Sequence, residues 1–181
     1  MKYLILKRIL DIVLSLIFII LTLPLMLIVL LITLFNLGLP LIDIRIPREG
    51  KNKQPFYMYK IRTRIYDADG NSHYNKLSKF IDNTGLNELP QLFNVLKGDM
   101  SLIGPRAFIC GEKLPEGEIS PKRYMVKPGI ISLSQVYDGR KLSYKATLKC
   151  DIEYYDNLSL SFDIKIFFKS LKTIFKRILG R

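Results

Sequence analysis

One segment near the N-terminus limits what this chain can fold into. Between Asp11 and Asp43 there is no charged residue, and residues 12–42 are almost wholly leucine, isoleucine, valine and phenylalanine. About twenty such residues form a helix that crosses the hydrocarbon core of a bilayer. A cleaved signal peptide is the alternative, but this run is longer than a signal peptide's apolar region and no small-residue cleavage site follows it. The segment therefore predicts a membrane-embedded helix.

Pro24 lies near the middle of this run, and positive residues flank the run on both sides. A proline inside a helix removes a backbone donor and clashes with the preceding turn, so it bends or splits the helix. A helix that simply crosses a membrane has its excess of positive charge on the cytoplasmic side. These features favour a re-entrant helix-break-helix that comprises residues 1–42 and has both ends in the cytoplasm. The less favoured alternative is a kinked helix that crosses the membrane. The flanking charges are Lys2, Lys7 and Arg8 before the run, and Arg45, Arg48, Lys51 and Lys53 after it.

The chain as a whole is strongly basic. Its 181 residues contain 28 Lys and Arg against 16 Asp and Glu, a net charge of +12, which predicts a negatively charged partner. Nucleic acid, anionic lipid and phosphorylated substrates all fit this charge, and the membrane segment favours the last two over nucleic acid. Cys110 and Cys150 lack metal-ligand spacing, and His73, the only histidine, falls in a polar stretch. Chemistry in this chain would therefore use carboxylates, lysine and arginine.

The middle of the chain, residues 43–157, predicts a small cytoplasmic domain of the α+β class that is rich in helix. Glycine and proline punctuate short basic and aromatic pieces over residues 45–64, which predicts brief extended strands. Apolar residues then recur on one helical face from residue 87 to residue 97, and Gly98 ends the pattern. Asn87 and Glu88 therefore fall near a helix N-terminus, where the helix dipole favours anions.

The tail, residues 158–181, predicts a basic amphipathic helix. Apolar residues follow the helical spacing i, i+3, i+4, i+7, lysine and arginine fill the other face, and no acidic residue follows Asp163. This pattern favours a helix that lies in the headgroup layer and binds anionic lipid, over a core helix with one solvated face. The apolar positions are Ile164, Phe167, Phe168, Leu171, Ile174, Phe175 and Ile178.

Candidate functional residues cluster in the middle domain. Sites that handle phosphate need cations to hold the anion and carboxylates to hold a divalent metal. Each candidate residue taken singly is also typical of a turn or a solvated surface. The set comprises Glu88 and Asp99 around the predicted helix, Gly104-Pro105-Arg106 after it, and then Gly139-Arg140 and Asp151.

Together these residues carry a resemblance to the monotopic phosphoglycosyl transferases, the bacterial sugar transferases that pass a sugar phosphate from a nucleotide sugar to polyprenyl phosphate. The likeness covers nearly the whole chain, and its densest part is residues 89–106. Further matches are the Lys7-Arg8-Ile9-Leu10-Asp11 run, Tyr59-Lys60-Ile61-Arg62-Thr63, Lys127-Pro128-Gly129-Ile130 and Asp151-Ile152-Glu153-Tyr154-Tyr155-Asp156-Asn157.

The resemblance implies a re-entrant anchor with interfacial helices, Mg²⁺, and a location at the cytoplasmic face of the bacterial inner membrane. It implies a two-step displacement through a sugar phosphate held on an Asp of an Asp-Glu pair, and it leaves a homodimer open. By position it implies catalytic roles for residue 87 and Glu88, and metal binding by Glu88 and Asp151. The phosphate-binding residues that it implies are Lys60, Arg62, Arg106 and Arg140.

Several departures from the family pattern bear on activity. Asn87 occupies the position of the nucleophilic Asp, and an amide is a far poorer nucleophile than a carboxylate. Ala107 replaces the second proline of the Pro-Arg-Pro motif, and Leu23 precedes Pro24 where serine is usual. Three interpretations remain: an enzyme with an altered mechanism, an engineered Asp-to-Asn change, or a relative without activity that binds lipid phosphate, nucleotide sugar or a partner.

Overall fold

The computed structural model describes residues 2–67, 69, 71–112, 120–137 and 142–178. It begins with one long helix, α1, from Lys2 to Leu37, with Pro24 inside it. The helix is continuous through Pro24, so the anchor is not divided into two separate helices, and the predicted re-entrant topology stays a prediction. Among the described residues, α1 holds the single stretch, Tyr3–Leu37, that is long and apolar enough to cross a membrane.

In the part of the chain that the structure describes, eight short strands form four two-stranded pairs. They include the brief strands predicted within residues 45–64. Three pairs are antiparallel: β1 (Ile42–Asp43) with β4 (Lys60–Ile61), β2 (Pro47–Glu49) with β3 (Pro55–Tyr57), and β5 (Ile65–Tyr66) with β6 (Ser72–His73). The fourth pair, β7 (Ser101–Ile103) with β8 (Gly129–Ile131), is parallel and joins segments far apart in the chain.

Helices make up most of the remaining domain, which confirms the helix-rich α+β class. They are α2 (Lys76–Thr84), α3 (Gln91–Lys97), α4 (Leu133–Tyr137), α5 (Tyr144–Asp156) and α6 (Leu160–Ile178). Asn75 and Ser78 form a capping box at the start of α2, and Gly85 and Gly98 end α2 and α3 in the left-handed conformation, with φ of 77° and 100°. These local signals explain where the two helices begin and end.

Polar side chains in the first three turns of α1 join the helix to the domain. The Lys7 ammonium lies 2.6 Å from the buried Asp163 carboxylate of α6. The Arg8 guanidinium donates to the Val95 and Leu96 carbonyls at the end of α3, at 2.6 and 2.9 Å. The Asp11 carboxylate accepts from the Ser101 hydroxyl and the Leu102 amide of β7. The Lys-Arg-x-x-Asp run therefore fixes the start of α1 to the domain.

The other end of α1 contacts the same domain. The Arg62 guanidinium donates to the Leu37 and Gly38 carbonyls, where the helix leaves carbonyls without intrahelical partners. Asn36 and Asn75 exchange side-chain hydrogen bonds. Met26 and Val29 are buried in one apolar cluster with Ile61 and Ile81. Residues 3–11 and 26–37 thus both dock on one domain, while most apolar side chains between them are exposed.

Helix α6 has one face in the core and one face outside it. Asp163, Ile166 and Ser170 are buried, and Ile166 packs in the cluster that includes Leu133 and Tyr154. Five large apolar side chains are exposed along the opposite face: Leu160, Ile164, Phe168, Leu171 and Phe175. The predicted amphipathic helix is present, and it carries two apolar faces instead of one.

Candidate active site

A short 3₁₀ turn, Leu86–Glu88, presents the two residues expected to carry the chemistry. It follows Gly85 and precedes α3, so Asn87 and Glu88 lie near the helix N-terminus, as predicted. The helix itself begins at Gln91 and not at residue 87, where the predicted pattern started. Pro90 and the left-handed Gly85 confine the chain to this turn.

Asn87 is buried, with 2% of its surface exposed. Its Nδ2 donates to the Asp82 carboxylate at 3.1 Å. Its Oδ1 is also buried and has no hydrogen-bond partner among the described residues. A buried acceptor without a partner costs free energy. Such an atom therefore indicates a place where a ligand can donate a hydrogen bond or a metal ion can bind.

Glu88 forms an ion pair with Lys60. The Lys60 ammonium, on β4, lies 2.8 Å from Glu88 Oε1, and both side chains are partly exposed. The structure thus brings together two predicted site residues that are 28 positions apart. In this pair, the Glu88 carboxylate can hold a divalent cation and the Lys60 ammonium can bind a phosphoryl oxygen.

Arg106 follows a tight turn that depends on glycine. The Gly104 amide donates to the Ile131 carbonyl, and the Gly129 amide donates to the Pro105 carbonyl at 2.9 Å. A Cβ at Gly104 would collide with the backbone of Lys127 and Gly129, so the two segments approach this closely only without side chains. The Gly-Pro-Arg motif therefore fixes the backbone from which the Arg106 side chain extends.

Asp151 lies behind this turn. One carboxylate oxygen accepts from the Arg106 amide at 3.1 Å, and the other accepts from Arg123 Nε at 3.1 Å. The residue is 1% exposed, and burial raises the pKa of its carboxyl to about 6 although Arg123 opposes the shift. Since both carboxylate oxygens accept these hydrogen bonds, Asp151 holds the backbone of Arg106 in place. Metal binding by Asp151 remains a prediction.

Oxygen donors suited to Mg²⁺ are present instead at the 3₁₀ turn. Mg²⁺ in phosphate-handling sites binds one or two carboxylates together with water and substrate phosphate. Glu88 and the unpartnered Asn87 Oδ1 match that chemistry. The described residues contain no group of three or more His, Cys, Asp or Glu placed to hold a metal without such added ligands.

The other two predicted phosphate ligands are Arg62 and Arg140. Arg62 has its guanidinium at the C-terminus of α1, where it donates to two carbonyls, so its position is that of a helix cap. Arg140 lies outside the described residues. Sequence reasoning had not placed Asp82, Arg48 or Arg123 at the site, because nothing in the local pattern shows which distant side chains they meet.

A cavity of about 870 Å³ joins this site to the apolar helices. Its polar wall includes Lys60, Asn87, Glu88 and Arg106. Its apolar wall comes from α1 and α6, through Leu14, Phe18, Ile164 and Phe168 among others. The cavity can therefore accommodate a ligand with a charged head and an apolar tail.

Cationic and carboxylate side chains thus lie in one cavity with the apolar helices α1 and α6. The family model for bacterial sugar transferases matches residues 2–177, and the chain belongs to this family.

Individual relatives agree with this assignment. The chain is 31% identical to the uncharacterized sugar transferase EpsL of Bacillus subtilis over 169 residues, which cover 90% of this chain and 83% of the relative. It is 34% identical to a putative undecaprenyl-phosphate N-acetylgalactosaminyl 1-phosphate transferase of the same organism, over 83% of this chain and 84% of the relative. It is 42% identical to the undecaprenyl-phosphate galactose phosphotransferase of Salmonella typhimurium over 101 residues, which cover 56% of this chain and 21% of that longer protein.

Proposed function

We propose that this chain transfers a sugar 1-phosphate from a uridine diphosphate sugar to undecaprenyl phosphate, at the cytoplasmic face of the bacterial inner membrane. The family and the names of the relatives support this class of reaction. The observation that carries the proposal is the two-walled cavity, in which Lys60, Glu88 and Arg106 face apolar side chains of α1 and α6. Such a cavity suits a lipid phosphate better than a wholly soluble substrate.

The anchor should be re-entrant. Lys7, Arg8 and Asp11 at one end of α1, and Asn36 and Leu37 at the other, all bond to the same domain. A folded polar domain lies on one side of a bilayer, so a helix held by it at both ends does not carry one end across. The helix would instead enter the lipid with its exposed apolar middle.

The chemistry is a displacement at the sugar-bearing phosphorus of the donor. An oxygen attacks this phosphorus, the bond to the nucleoside monophosphate oxygen breaks, and the nucleoside monophosphate leaves as an anion. With an amide at residue 87, the attacking oxygen is either the Glu88 carboxylate, in two steps, or the undecaprenyl phosphate itself, in one. Arg106 and Lys60 would hold the phosphoryl oxygens.

Mg²⁺ would bind to Glu88 and Asn87 Oδ1 and would neutralise charge on the diphosphate. The role of the protein residues is to place these oxygens beside the cationic side chains. The Asn87–Asp82 hydrogen bond fixes the amide so that its Oδ1 faces away from Asp82.

A second candidate function is binding without catalysis. It is favoured by Asn87 itself, because the residue is fully buried and its amide is hydrogen-bonded to Asp82 as part of the fold. Such a protein would bind polyprenyl phosphate or a partner and would not release nucleoside monophosphate.

Release of nucleoside monophosphate by the purified protein, with Mg²⁺, undecaprenyl phosphate and a panel of uridine diphosphate sugars, tests the proposal. Asn87→Asp should raise the rate by orders of magnitude if the site is otherwise intact, since a carboxylate nucleophile is restored. Glu88→Gln should lower the rate at least a hundredfold.

The Asn87→Asp variant should also lose stability through charge repulsion. Asn87→Asp places a second carboxylate at hydrogen-bond distance from Asp82, and like charges raise the pKa of one of them. A pKa raised by folding lowers stability as pH increases, so the melting temperature of Asn87→Asp should fall, relative to the parent, from about pH 4 upward.

The activity assay also decides between the two candidate functions. If the parent and Asn87→Asp release no nucleoside monophosphate with any donor but still bind polyprenyl phosphate, the result supports the binding function.

A further inference from the structure

Arg48 is a half-buried cation that the reaction as described leaves without a role. It lies on β2 and lines the same cavity as Arg106 and Glu88. Burial lowers the pKa of its guanidinium, and the charge of Arg106 lowers it further. Both arginines line this cavity, and a β-bridge between Arg48 and Ile109 brings β2 beside the segment that follows Arg106.

Neither guanidinium forms a hydrogen bond or an ion pair with a residue in the part of the chain that the structure describes. The hydrogen bonds of Arg106 involve its backbone amide and carbonyl only. Glu112 and Asp43 are the carboxylates that influence Arg48 electrostatically. Both oxygens of Glu112 accept elsewhere, from the Tyr144 hydroxyl and the Ile109 amide. Asp43 is paired with Arg45 at 2.8 Å.

The backbones that carry the two arginines are held rigidly. Strand β2 pairs with β3 on one side and bonds to residues 108–110 on the other, through the Glu49 and Cys110 amides at 2.9 and 3.0 Å. The Arg106 backbone is held by Asp151 and by Arg123 at 2.7 Å. Arg123 also lies 3.8 Å from Glu49, next to Arg48 in the chain. One buried ionic cluster therefore supports both positions.

Repelling cations on rigid backbones are an arrangement that an anion stabilises. Guanidinium groups bind phosphoryl oxygens in bidentate fashion, and such charge-assisted hydrogen bonds are stronger than neutral ones. The cavity supplies the open side from which the anion would enter.

We propose that Arg48 and Arg106 form a two-arginine clamp for a phosphoryl group. The ligand class is a phosphate ester or diphosphate, which the donor sugar nucleotide and the lipid phosphate both contain. Arg48 thus becomes a phosphate-binding residue in its own right. The proposal deepens the function proposed above and rests on it for the identity of the substrates.

Binding without turnover provides the test. The affinity of the full-length protein in detergent would be measured for inorganic pyrophosphate, uridine diphosphate glucose and farnesyl phosphate, with the parent and Arg48→Gln, Arg48→Lys and Arg106→Gln variants. Lys79→Gln is the matched control. Lys79 is exposed on α2 and does not line the cavity, and its replacement by Gln removes the same charge. Melting temperatures of the same samples report folding.

Arg48→Gln and Arg106→Gln should each weaken pyrophosphate binding at least tenfold, while Lys79→Gln should change it less than twofold. Arg48→Lys should retain charge and fold but lose the bidentate contact, so its loss should be intermediate. The double Arg48→Gln/Arg106→Gln variant should lose less than the product of the single losses, since the arginines act on one anion. Loss confined to uridine diphosphate glucose would place the donor in the clamp, and loss confined to farnesyl phosphate would place the acceptor there.

Unchanged pyrophosphate, donor and lipid phosphate binding in folded Arg48→Gln and Arg48→Lys would overturn the clamp. The outcome is separable from the transferase proposal. A protein that binds pyrophosphate through both arginines but never releases nucleoside monophosphate keeps the clamp and loses the reaction. A protein that turns over normally, with binding indifferent to Arg48, keeps the reaction and loses the clamp.

Discussion

Arg123 shows how a single buried side chain can organise a site that it does not enter. Its guanidinium donates to the Asp151 carboxylate, to the Arg106 carbonyl and to the Tyr124 hydroxyl, and it lies 3.8 Å from the centre of the Phe108 ring. The Tyr124 hydroxyl in turn donates to Glu49. The buried charge of Arg123 is thus balanced by two carboxylates and by an aromatic face.

Removal of this cation should destabilise the protein in a pH-dependent way. Arg123→Met leaves Asp151 buried without its charged partner, which should cost about 3 kcal/mol at neutral pH. Burial already raises the pKa of Asp151 to about 6, and loss of Arg123 raises it further. A raised pKa favours the folded state at low pH, so the cost should be small near pH 4 and increase as pH rises through 6. Thermal unfolding of parent and variant from pH 4 to 8 measures this difference.

The control for this prediction is an exposed ion pair. Lys122 lies 2.7 Å from Asp156, and both side chains are nearly half exposed. Lys122→Met should cost less than about 1 kcal/mol, with little dependence on pH. An Arg123→Met cost that is equally small, or flat across pH, would show that the buried pair does not support the fold.

At the scale of elements, α6 has the features of a helix that packs on a domain and also contacts lipid. Its buried face holds Ile166 and the Asp163 carboxylate, which accepts from the Tyr154 hydroxyl at 2.9 Å. Its exposed face places apolar side chains among lysines, as in helices that lie in the headgroup layer. The proposed anionic-lipid contact follows from this second face.

Two sets of substitutions separate the charge of α6 from its apolar stripe. Lys165, Lys172 and Lys176 are exposed, and replacing all three with Glu reverses an attraction of about 1 kcal/mol per basic residue at an anionic surface. Binding to vesicles that contain anionic lipid should weaken, and the loss should be greatest at low salt. Phe168→Ser with Phe175→Ser should weaken binding equally at low and high salt. Since α1 is proposed to anchor the protein as well, the measurement is the release of pre-bound protein by washing. Unchanged release in both sets would show that α6 contacts only the domain.

At the scale of the whole molecule, α1 and the domain form one body. Hydrogen bonds at residues 7–11 and 36–38 join the helix to α3, α6, β7 and the Arg62 region. The apolar side chains between these contacts stay exposed, which in water would be unfavourable over such an area. Coverage of the middle of the helix by lipid would remove this cost, as the proposed membrane anchor requires.

Same-side labelling tests this arrangement directly. In a protein whose Cys110 and Cys150 are replaced by serine, cysteines introduced at Lys2 and Lys51 should react with a membrane-impermeant reagent in inverted vesicles and not in intact cells. Labelling from opposite sides would establish a helix that crosses. Pro24→Leu should move a fraction of molecules to that crossing state, because it restores the backbone donor that favours a straight helix.

The sequence alone determined those features that depend on neighbouring residues: the apolar run, the end of α3 at Gly98, the amphipathic tail and the motif around Glu88. Periodicity and capping are local, since they involve residues within a few turns of one another. Only the tertiary structure decided that Asp82 meets Asn87, that Arg62 caps α1, and that Arg123 supports Arg106 while Arg48 joins it at the cavity. These contacts depend on how separate elements pack, and Asp11 with Leu102, 91 residues apart, shows how far they reach. A side chain's partner across such a separation is set by the three-dimensional packing of the whole chain, which no local pattern encodes.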